Sequence, residues 1–553
     1  MRSVLRLFPF AFALIAALTL LVAPAAGQDM ELMSVSAENC DYGGSIQSIE
    51  AVDELTVHFT LCVPDPALPS KAAFVTLGIH PSEYLEATGG GGDLLTDPIG
   101  TGPYMLENWD LGNEIVLTRF ENYWGTPAVE PTAIFRWSTE AAQRLVELQA
   151  GTVDGIDNPA PGDFEVIRND PNLQLFERPA GNIMYMSLNN RFEPFNDVNV
   201  RQAMAQLIDK QRIVDNFYPA GSSVADQFVP SMIFGHTAEV EPLAFDVALA
   251  EQMLDDAGYP RGADGIRFST TLSYRDVVRG YLPTPGIVAQ DIQAQLAAVG
   301  IEVEVQSMES GAFLDAALAG ELPMVLLGWT LDYPDATNFF DTHFGSGAPD
   351  QFGDKFDEIT EPLALGAQQA TPEERYPYYL QANEAIRDLV PMVTIAHGGN
   401  GAAYQARIVN GHAQSVGQEN LAIMEDPDDD NIVFMQGNEP ISLYCSDESD
   451  GESFKVCEQI IESLLDYQIG SGEVIPGLAE SWDVNDDLTE WTFHLREGVA
   501  FHDGSMLDAN DVVASYVAQW DAESPTHTGR TGDFTYFTAF FTTFINAPPP
   551  AAE

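Results

Sequence analysis

The stretch of sequence that decides the fold is MVLLGWTLDYPD, which runs from Met324 to Asp335. The apolar run at its start is typical of a strand that is buried on both faces, as in a parallel sheet. Ligands of open α/β sheets bind beyond the carboxyl ends of the strands, and Asp332 directly follows this strand. We therefore interpret Asp332 as a carboxylate placed to hold a small cationic group. A solvated acid in a loop is the alternative interpretation.

The residues before this strand predict alternating helices and strands. Residues 286–299 carry an apolar stripe typical of a helix, and Gly300 is suited to its C-terminal end. Residues 301–306 alternate between apolar and polar side chains, which indicates a strand with one exposed face. A second short helix around residues 313–319 leads into the apolar strand. The whole pattern predicts an α/β fold.

The length and charge of the chain limit its function classes. A chain of 553 residues can bury a large core and should divide into more than one domain or lobe. Its 84 acidic and 23 basic residues give a formal charge of −61, which argues against nucleic acid as a partner. The charge could attract cationic solutes into a cleft. Solubility or adaptation to high salt over the whole surface is the alternative.

The first 27 residues have the pattern of an export signal. Arg2 and Arg6 precede an apolar core at 7–22, and small residues at 23–27 offer a cleavage site. We therefore predict an exported protein that is periplasmic or at the cell surface. An uncleaved membrane anchor is the alternative. No Cys follows the apolar core, so lipid attachment at that point is not predicted.

Four cysteines in an exported protein indicate disulfide bonds, and four cysteines allow three pairings. Cys40 and Cys62 flank a hairpin-like pair of segments, and Cys445 and Cys457 bracket an acidic turn. We favour the two local pairs, Cys40 with Cys62 and Cys445 with Cys457. Nothing about the four residues indicates catalysis.

Short motifs along nearly the whole mature chain resemble one protein family. These motifs are GTGPY at 100–104, NYWG at 122–125, LQAG at 148–151, PFNDVNVRQA at 194–203, the run at 328–340, VIPGLAESW at 474–482, FHLR at 493–496 and FHDG at 501–504. Together they resemble the extracytoplasmic solute-binding proteins of peptide and nickel ABC importers, family 5, and most closely the dipeptide-binding branch. The resemblance implies a two-lobed periplasmic-binding-protein fold of class II, an α/β fold that closes on its ligand like a hinged trap.

The order of these motifs departs from the family. The motifs at 474–504 stand near the amino terminus in the relatives, whereas here they come last. The region 391–423 resembles the family's carboxyl end. We therefore predict a circularly permuted chain, in which residues 426–431 form the linker between the old termini. A rearranged or misassembled gene is the alternative.

The resemblance also implies the division into lobes. We assign 1–27 to the signal peptide, 28–186 and 404–553 to lobe I, and 187–403 to lobe II. The segments Met184–Asn190 and Val393–Gly399 are similar to the two crossovers between the lobes. The acidic linker at 426–431 begins like a calcium loop but lacks the Gly and Glu that such a loop needs, so we interpret it as a solvated connector. We predict no cofactor and no metal site.

The same resemblance implies the binding residues. In the dipeptide-binding relatives an Asp after a Gly-Trp pair holds the ligand ammonium, and here Asp332 follows Gly328, Trp329 and Thr330. An Arg-Pro-Tyr motif in the relatives supplies the Arg that holds the ligand carboxylate. The similar segment here, Arg279-Gly280-Tyr281, has Gly in place of Pro.

Alternatives remain open for two of these residues. Arg279 could instead form a surface ion pair with Asp276, and the nearby Arg275 leaves the register open. Trp329 is expected to line the cleft, with a core position as the alternative. The segment Met308-Glu309-Ser310 departs from the family's aromatic-Glu-Trp triplet, so no aromatic wall for the ligand side chain is expected there.

These residues predict a receptor that captures di- or oligopeptides and delivers them to ABC permease subunits and their ATPase. We expect it to work as a monomer and without nucleic acid. A receptor for nickel chelates or oligosaccharides, or a sensor with the same cleft, is the alternative within the fold. We predict that it is not an enzyme, because the sequence has no Gly-x-Ser-x-Gly elbow, His-Glu-x-x-His motif or phosphate loop.

Overall fold

The computed structural model describes residues 31–219, 221–277 and 279–547. The predicted signal peptide therefore lies outside the described residues. None of the helices within these ranges is both long and apolar enough to span a membrane.

The described chain alternates between strands and helices. Its strands are β1 (Ser34–Ser36), β2 (Ile46–Asp53), β3 (Thr56–Leu61), β4 (Tyr104–Asp110), β5 (Glu114–Arg119), β6 (Thr132–Trp137), β7 (Gly155–Asp157), β8 (Leu173–Arg178), β9 (Asn182–Ser187), β10 (Ser223–Val224), β11 (Phe268–Arg275), β12 (Ile301–Met308), β13 (Met324–Thr330), β14 (Met392–His397), β15 (Asn400–Gln405), β16 (Asn431–Gln436), β17 (Leu465–Tyr467), β18 (Val474–Pro476), β19 (Ala479–Val484) and β20 (Glu490–Leu495). Its α-helices are α1 (Leu68–Ala72), α2 (Ser82–Thr88), α3 (Ala141–Ala150), α4 (Phe164–Asn169), α5 (Val198–Leu207), α6 (Lys210–Phe217), α7 (Val247–Asp256), α8 (Pro285–Ala298), α9 (Ser310–Leu318), α10 (Ala336–Phe344), α11 (Asp357–Gly366), α12 (Pro372–Leu389), α13 (Gly451–Ile460), α14 (Ala509–Trp520) and α15 (Thr535–Phe541).

The strand predicted from the apolar run, β13, lies inside a six-stranded sheet with the order β10-β14-β9-β13-β11-β12. Its residues alternate between two hydrophobic cores: Met324 and Leu326 belong to one, and Val325 and Leu327 to the other. This confirms a strand buried on both faces. The sheet is mixed, however, because β13 runs parallel to β11 but antiparallel to β9.

The elements predicted before β13 are also confirmed. The helix α8, the strand β12 and the helix α9 lie within two or three residues of the predicted bounds. Gly300 has a φ of +86°, the left-handed conformation that favours glycine at a helix end. The parallel pairing of β11 with β12 places their carboxyl ends at the same edge of the sheet.

Strands from both ends of the described chain build the remaining large sheets. The five-stranded sheet has the order β1-β2-β3-β20-β19, and the seven-stranded sheet has the order β4-β5-β6-β16-β7-β15-β8. The late strand β16 lies between β6 and β7 and runs parallel to both. The late strand β20 pairs with β3, and its alternate residues Trp491, Phe493 and Leu495 are buried. The C-terminal segment is therefore an integral part of these sheets.

The chain passes twice between the seven-stranded and the six-stranded sheet, at 179–181 and at 398–399. We call residues 182–397 the central half, and residues 32–178 with 400–547 the terminal half. The predicted crossovers Met184–Asn190 and Val393–Gly399 overlap β9 and β14, which adjoin these passages. The side chain of Asn182 ties the passages together, because it donates to the carbonyl of Gly398 (2.7 Å) and accepts from its N–H (2.8 Å).

Both predicted disulfide bonds are confirmed. Cys40 pairs with Cys62 across a Cα–Cα distance of 5.5 Å, and Cys445 pairs with Cys457 across 6.4 Å. The first closes the β2–β3 hairpin, and the second holds the segment before α13 against that helix.

The linker at 426–431 is only partly the solvated connector that the sequence indicates. Asp426 is 3% exposed and forms an ion pair with Arg407 at 2.8 Å, whereas residues 427–430 are exposed. Burial of Asp426 follows from this pairing, because a buried carboxylate needs a cation or several hydrogen bonds. Throughout the described residues, no group of three or more His, Cys, Asp or Glu side chains is arranged to hold a metal ion.

Candidate ligand-binding site

Asp332 lies in the loop after β13, and its neighbours hold it in one position. Asn338, in the first turn of α10, donates from Nδ2 to Asp332 Oδ2 (3.0 Å) and accepts from the Asp332 N–H (3.1 Å). The hydroxyl of Tyr536 donates to the other carboxylate oxygen, Oδ1, at 3.3 Å. The carboxylate is thus oriented by two neutral donors.

The electrostatic surroundings of Asp332 favour a cationic ligand. Burial raises the pKa of its carboxyl group to about 6, although the hydrogen bonds from Asn338 and Tyr536 act in the opposite direction. The ion pairs of the described residues do not include Asp332. Asp332 is half-buried, and a carboxylate partly withdrawn from water without a counter-charge is costly, so a ligand cation that reached it would be favoured.

Asp332 lies where the two halves of the protein meet. Tyr536 belongs to α15 in the terminal half, where its ring packs against Phe74 at a centroid distance of 4.9 Å. The neighbouring Tyr333 enters the same core and lies at 5.2 Å from the ring of Phe540. The loop after β13 therefore bridges the halves, with the Asp332 carboxylate at their junction.

A buried ion pair supports this loop from the opposite side. Arg375 donates to both oxygens of Asp335, each at 2.7 Å, and its side chain is 4% exposed. Burial alone would raise the pKa of Asp335, but Arg375 holds that pKa below its usual value. Asp335 also caps α10 by accepting from the Thr337 N–H, so the pair sets where Asn338 lies. Arg375 and Asp335 thus orient Asp332 indirectly.

The remaining predicted binding residues, Gly328, Trp329, Thr330 and Tyr281, lie on β13 or against it. Trp329 is half-buried, donates its indole N–H to Asn338 Oδ1 (3.1 Å), and lies against His343 at a centroid distance of 5.2 Å. The ring of Tyr281, which is 6% exposed, lies over Gly328, where a Cβ atom would overlap it. Thr330 is exposed at the end of β13. The structure therefore brings Gly328 and Tyr281 together.

Arg279 is exposed in the loop that follows β11. Its backbone forms hydrogen bonds with that of Leu282 (3.2 and 3.0 Å), which folds the loop back on itself. The next residue, Gly280, lies beside the side chains of Asn182 and Asn400 near the two passages between the halves. The pairing of Arg279 with a ligand carboxylate stays a prediction.

Three further residues belong to the candidate site. Arg275 ends β11 and donates to Ser310 Oγ (3.1 Å) and to the Tyr281 hydroxyl (3.3 Å). Its place at the carboxyl end of a parallel strand is a signal that the sequence carried. Asn338 stands six positions after Asp332 within the family-like run. Tyr536 is separated from Asp332 by 204 positions, and no local pattern indicates it.

Two α/β halves joined by two passages, with a carboxylate at their junction, form the architecture of a two-lobed solute-binding protein. The chain belongs to the bacterial extracellular solute-binding proteins, family 5, whose model matches residues 16–351 and 473–538. That family consists of solute-binding proteins, and its fold is the two-lobed fold described above.

Proteins that are similar in sequence to this chain are named after different ligands. The chain is 30% identical over 364 residues to the dipeptide-binding protein of Escherichia coli (strain K12), covering 64% of this chain and 66% of that protein. It is 29% identical over 379 residues to heme-binding protein A of Haemophilus influenzae, covering 67% and 68%. The chain thus spans 66% of the length of the dipeptide-binding relative.

Solved structures of similar proteins have the same fold. HbpA2 from Haemophilus parasuis has a TM-score of 0.65 and 29% identity, covering 70% of this chain and 76% of that one. The periplasmic binding protein DppA from Helicobacter pylori, in complex with the peptide STSA, has a TM-score of 0.54 and 26% identity, covering 68% and 73%.

Proposed function

We propose that this protein is an exported receptor that captures di- or oligopeptides between its lobes and delivers them to an ABC import permease. The observation that carries the proposal is the Asp332 carboxylate, which is half-buried at the junction of the halves and oriented by Asn338 and Tyr536. The names of the similar dipeptide-binding proteins support it. The receptor performs no chemistry on its ligand.

Asp332 binds the amino terminus of the peptide in this proposal. A peptide ammonium has three N–H donors and a full charge, and the Asp332 carboxylate retains lone pairs beyond those that its two neutral donors use. Burial between the halves lowers the local dielectric constant, which strengthens the ion pair. The peptide backbone beyond the ammonium then lies along the cleft toward the end of β11.

An arginine binds the carboxyl end of the peptide. Its planar guanidinium matches a carboxylate with two parallel hydrogen bonds, which a lysine cannot supply. Arg279 is the first candidate because of its motif and because it lies in the loop that follows β11. Arg275 is the second candidate, since Ser310 and Tyr281 hold its guanidinium at the carboxyl end of β11.

Closure of the lobes completes the site. We place the hinge at the passages 179–181 and 398–399, which shifts the lobe bounds by a few residues from the division predicted from the sequence, 28–186 with 404–553 for lobe I and 187–403 for lobe II. Asn182 couples the two hinge strands through its bonds with Gly398. The bond from Tyr536 to Asp332 then forms as the lobes close, and it shields the ion pair from water.

A circularly permuted chain explains the order of the segments. The inner positions of β16 and β20 support a single domain that needs its C-terminal segment, and they argue against a second partial copy. Long-read sequencing of the locus, together with the intact mass of the native protein, tests this proposal. A gene with the family's usual segment order, or a native mass that does not match this sequence, would contradict it.

Calorimetry with a ligand panel tests the function. The panel contains free dipeptides and tripeptides, the same peptides acetylated at the amino terminus, a nickel–histidine chelate, an oligosaccharide and heme. Free peptides should bind, acetylated peptides should not, and mass spectrometry should recover the peptide intact after incubation. Binding of heme, the chelate or the sugar with no binding of peptides would overturn the proposal.

A further inference from the structure

Lys210 differs from the other three lysines of the chain, and all four lysines lie in described positions. Lys71, Lys355 and Lys455 each form an ion pair with an aspartate, at 2.7, 3.7 and 3.1 Å. Lys210 takes part in none of the ion pairs of the described chain. Its Nζ donates only to the Ala225 carbonyl at 3.5 Å and to Thr394 Oγ1 at 3.3 Å, which are long distances for hydrogen bonds. Its charge therefore has no ion-pair partner among the described residues, although the Asp226 carboxylate lies near enough to act on it.

A cavity lies beside this ammonium group. Lys210 lines a space of ≈ 220 Å³ and a second space of ≈ 50 Å³, and the two share Ala205, Asp226, Pro242 and Leu243 as walls. A cavity of about 150 Å³ is large enough for benzene, so this one can hold a branched or aromatic side chain. Apolar residues dominate its walls, and Phe245 at its rim is 52% exposed. We call this space the Lys210 cavity.

The charges around the Lys210 cavity select the chemistry of its occupant. Burial lowers the pKa of the Lys210 ammonium to about 8, so it remains mostly charged at neutral pH, and an incoming carboxylate would compensate it. Asp226 and Asp209 also line the cavity, and Asp226 is exposed. These two carboxylates would repel a simple anion. A zwitterion meets both requirements, because its ammonium offsets the acids while its carboxylate reaches Lys210.

We propose that the Lys210 cavity is a second binding site, which takes a free α-amino acid with an apolar side chain. The ligand carboxylate accepts from Lys210 Nζ, its ammonium donates to Asp226, and its side chain lies between Leu243 and Phe245. The cavity is built by α6, β10 and the segment 240–245, and none of its lining residues bonds to Asp332. The site is therefore separate from the cleft and does not depend on the proposed peptide function.

Calorimetry with L-leucine tests this site on the full protein that carries Asp332→Asn, which weakens binding in the cleft. Two analogues test which charged group of L-leucine is recognised. 4-Methylpentanoate lacks the ammonium, and 3-methylbutylamine lacks the carboxylate. L-leucine should bind with a saturable isotherm at concentrations up to about 10 mM, and each analogue should bind at least about tenfold more weakly. The same titration is then repeated after adding Lys210→Met, Leu243→Trp or Lys355→Met.

Lys210→Met should weaken L-leucine binding by about 10- to 100-fold, since it removes a charge-assisted hydrogen bond. Leu243→Trp should also block binding, because it fills the cavity while Lys210 remains. Lys355→Met, the matched control in the same half, should bind as the parent does, and thermal melts verify that all variants fold. The absence of saturable binding, or binding unchanged by both cavity variants, would overturn the site. Equally tight binding of 4-methylpentanoate would overturn the role of Asp226.

Discussion

Replacing Asp332 with asparagine removes one charge and preserves the shape of the side chain. The amide oxygen of the variant still accepts from one of the two present donors, Asn338 at 3.0 Å or Tyr536 at 3.3 Å, so the loop should keep its position. At pH 7.5 a carboxyl group with a pKa of about 6 is more than about nine-tenths ionised, so almost the full charge is lost in the variant. The peptide ammonium then enters the closed cleft without a counter-charge.

The expected loss follows from the cost of an unpaired buried charge. That cost is about 3–5 kcal/mol, and the lower end applies because the amide oxygen still accepts one hydrogen bond. A loss of about 3 kcal/mol corresponds to a Kd that rises by about 150-fold. The affinity of the parent protein should also fall as the pH drops below about 6, since a proton then competes with the ammonium for Asp332. The asparagine variant should lack this pH dependence.

Isothermal titration calorimetry with a tight-binding dipeptide from the panel, between pH 5 and 8, measures both effects. Glu321→Gln is the matched control, because Glu321 is exposed before the opposite end of β13, a strand of seven residues that spans about 20 Å at about 3.3 Å per residue. The control should bind within about twofold of the parent. An Asp332→Asn protein that folds and binds the dipeptide as tightly as the parent would refute the role of Asp332.

The remaining predictions concern Arg279, the packing at Gly328 and the pH dependence of the stability of the fold. Arg279→Gln should weaken the binding of a free dipeptide by at least about tenfold and leave the binding of the same dipeptide with an amidated carboxyl end unchanged. An equal loss of affinity for both forms would instead indicate a general structural effect. Gly328→Ala should lower the melting temperature in a calorimetric scan, because the added Cβ overlaps the ring of Tyr281, and an unchanged melting temperature would contradict this packing. Burial raises the pKa of Glu458 to about 8 and that of Glu462 to about 7, so the folded state binds more protons than the unfolded state. Their contribution to the free energy of unfolding should therefore be largest below about pH 4.5 and should decline as the pH rises to about 8. Urea titrations at several pH values measure this decline, and it should be smaller in the double variant Glu458→Gln with Glu462→Gln.

Much of the fold follows from local patterns. The apolar run at 324–330 and the alternation at 301–306 predict strands because successive side chains on a strand point to opposite faces. The disulfide pairs were also predictable, since each joins cysteines that are only 22 and 12 positions apart. Such features depend on neighbours along the chain. A single sequence therefore carries enough information to identify them.

The position of Asp332 after a buried strand could likewise be predicted from the sequence, but the surroundings that shift the pKa of its carboxyl group could not. Tyr536 reaches Asp332 from a helix 204 positions away, and β16 and β20 pair with β6, β7 and β3, which lie hundreds of residues earlier. No local pattern specifies these contacts, because they arise only when separate cores pack together and exclude water. The tertiary structure thus decided the partial burial of Asp332, the direction of its pKa shift and the side chain that meets it across the junction.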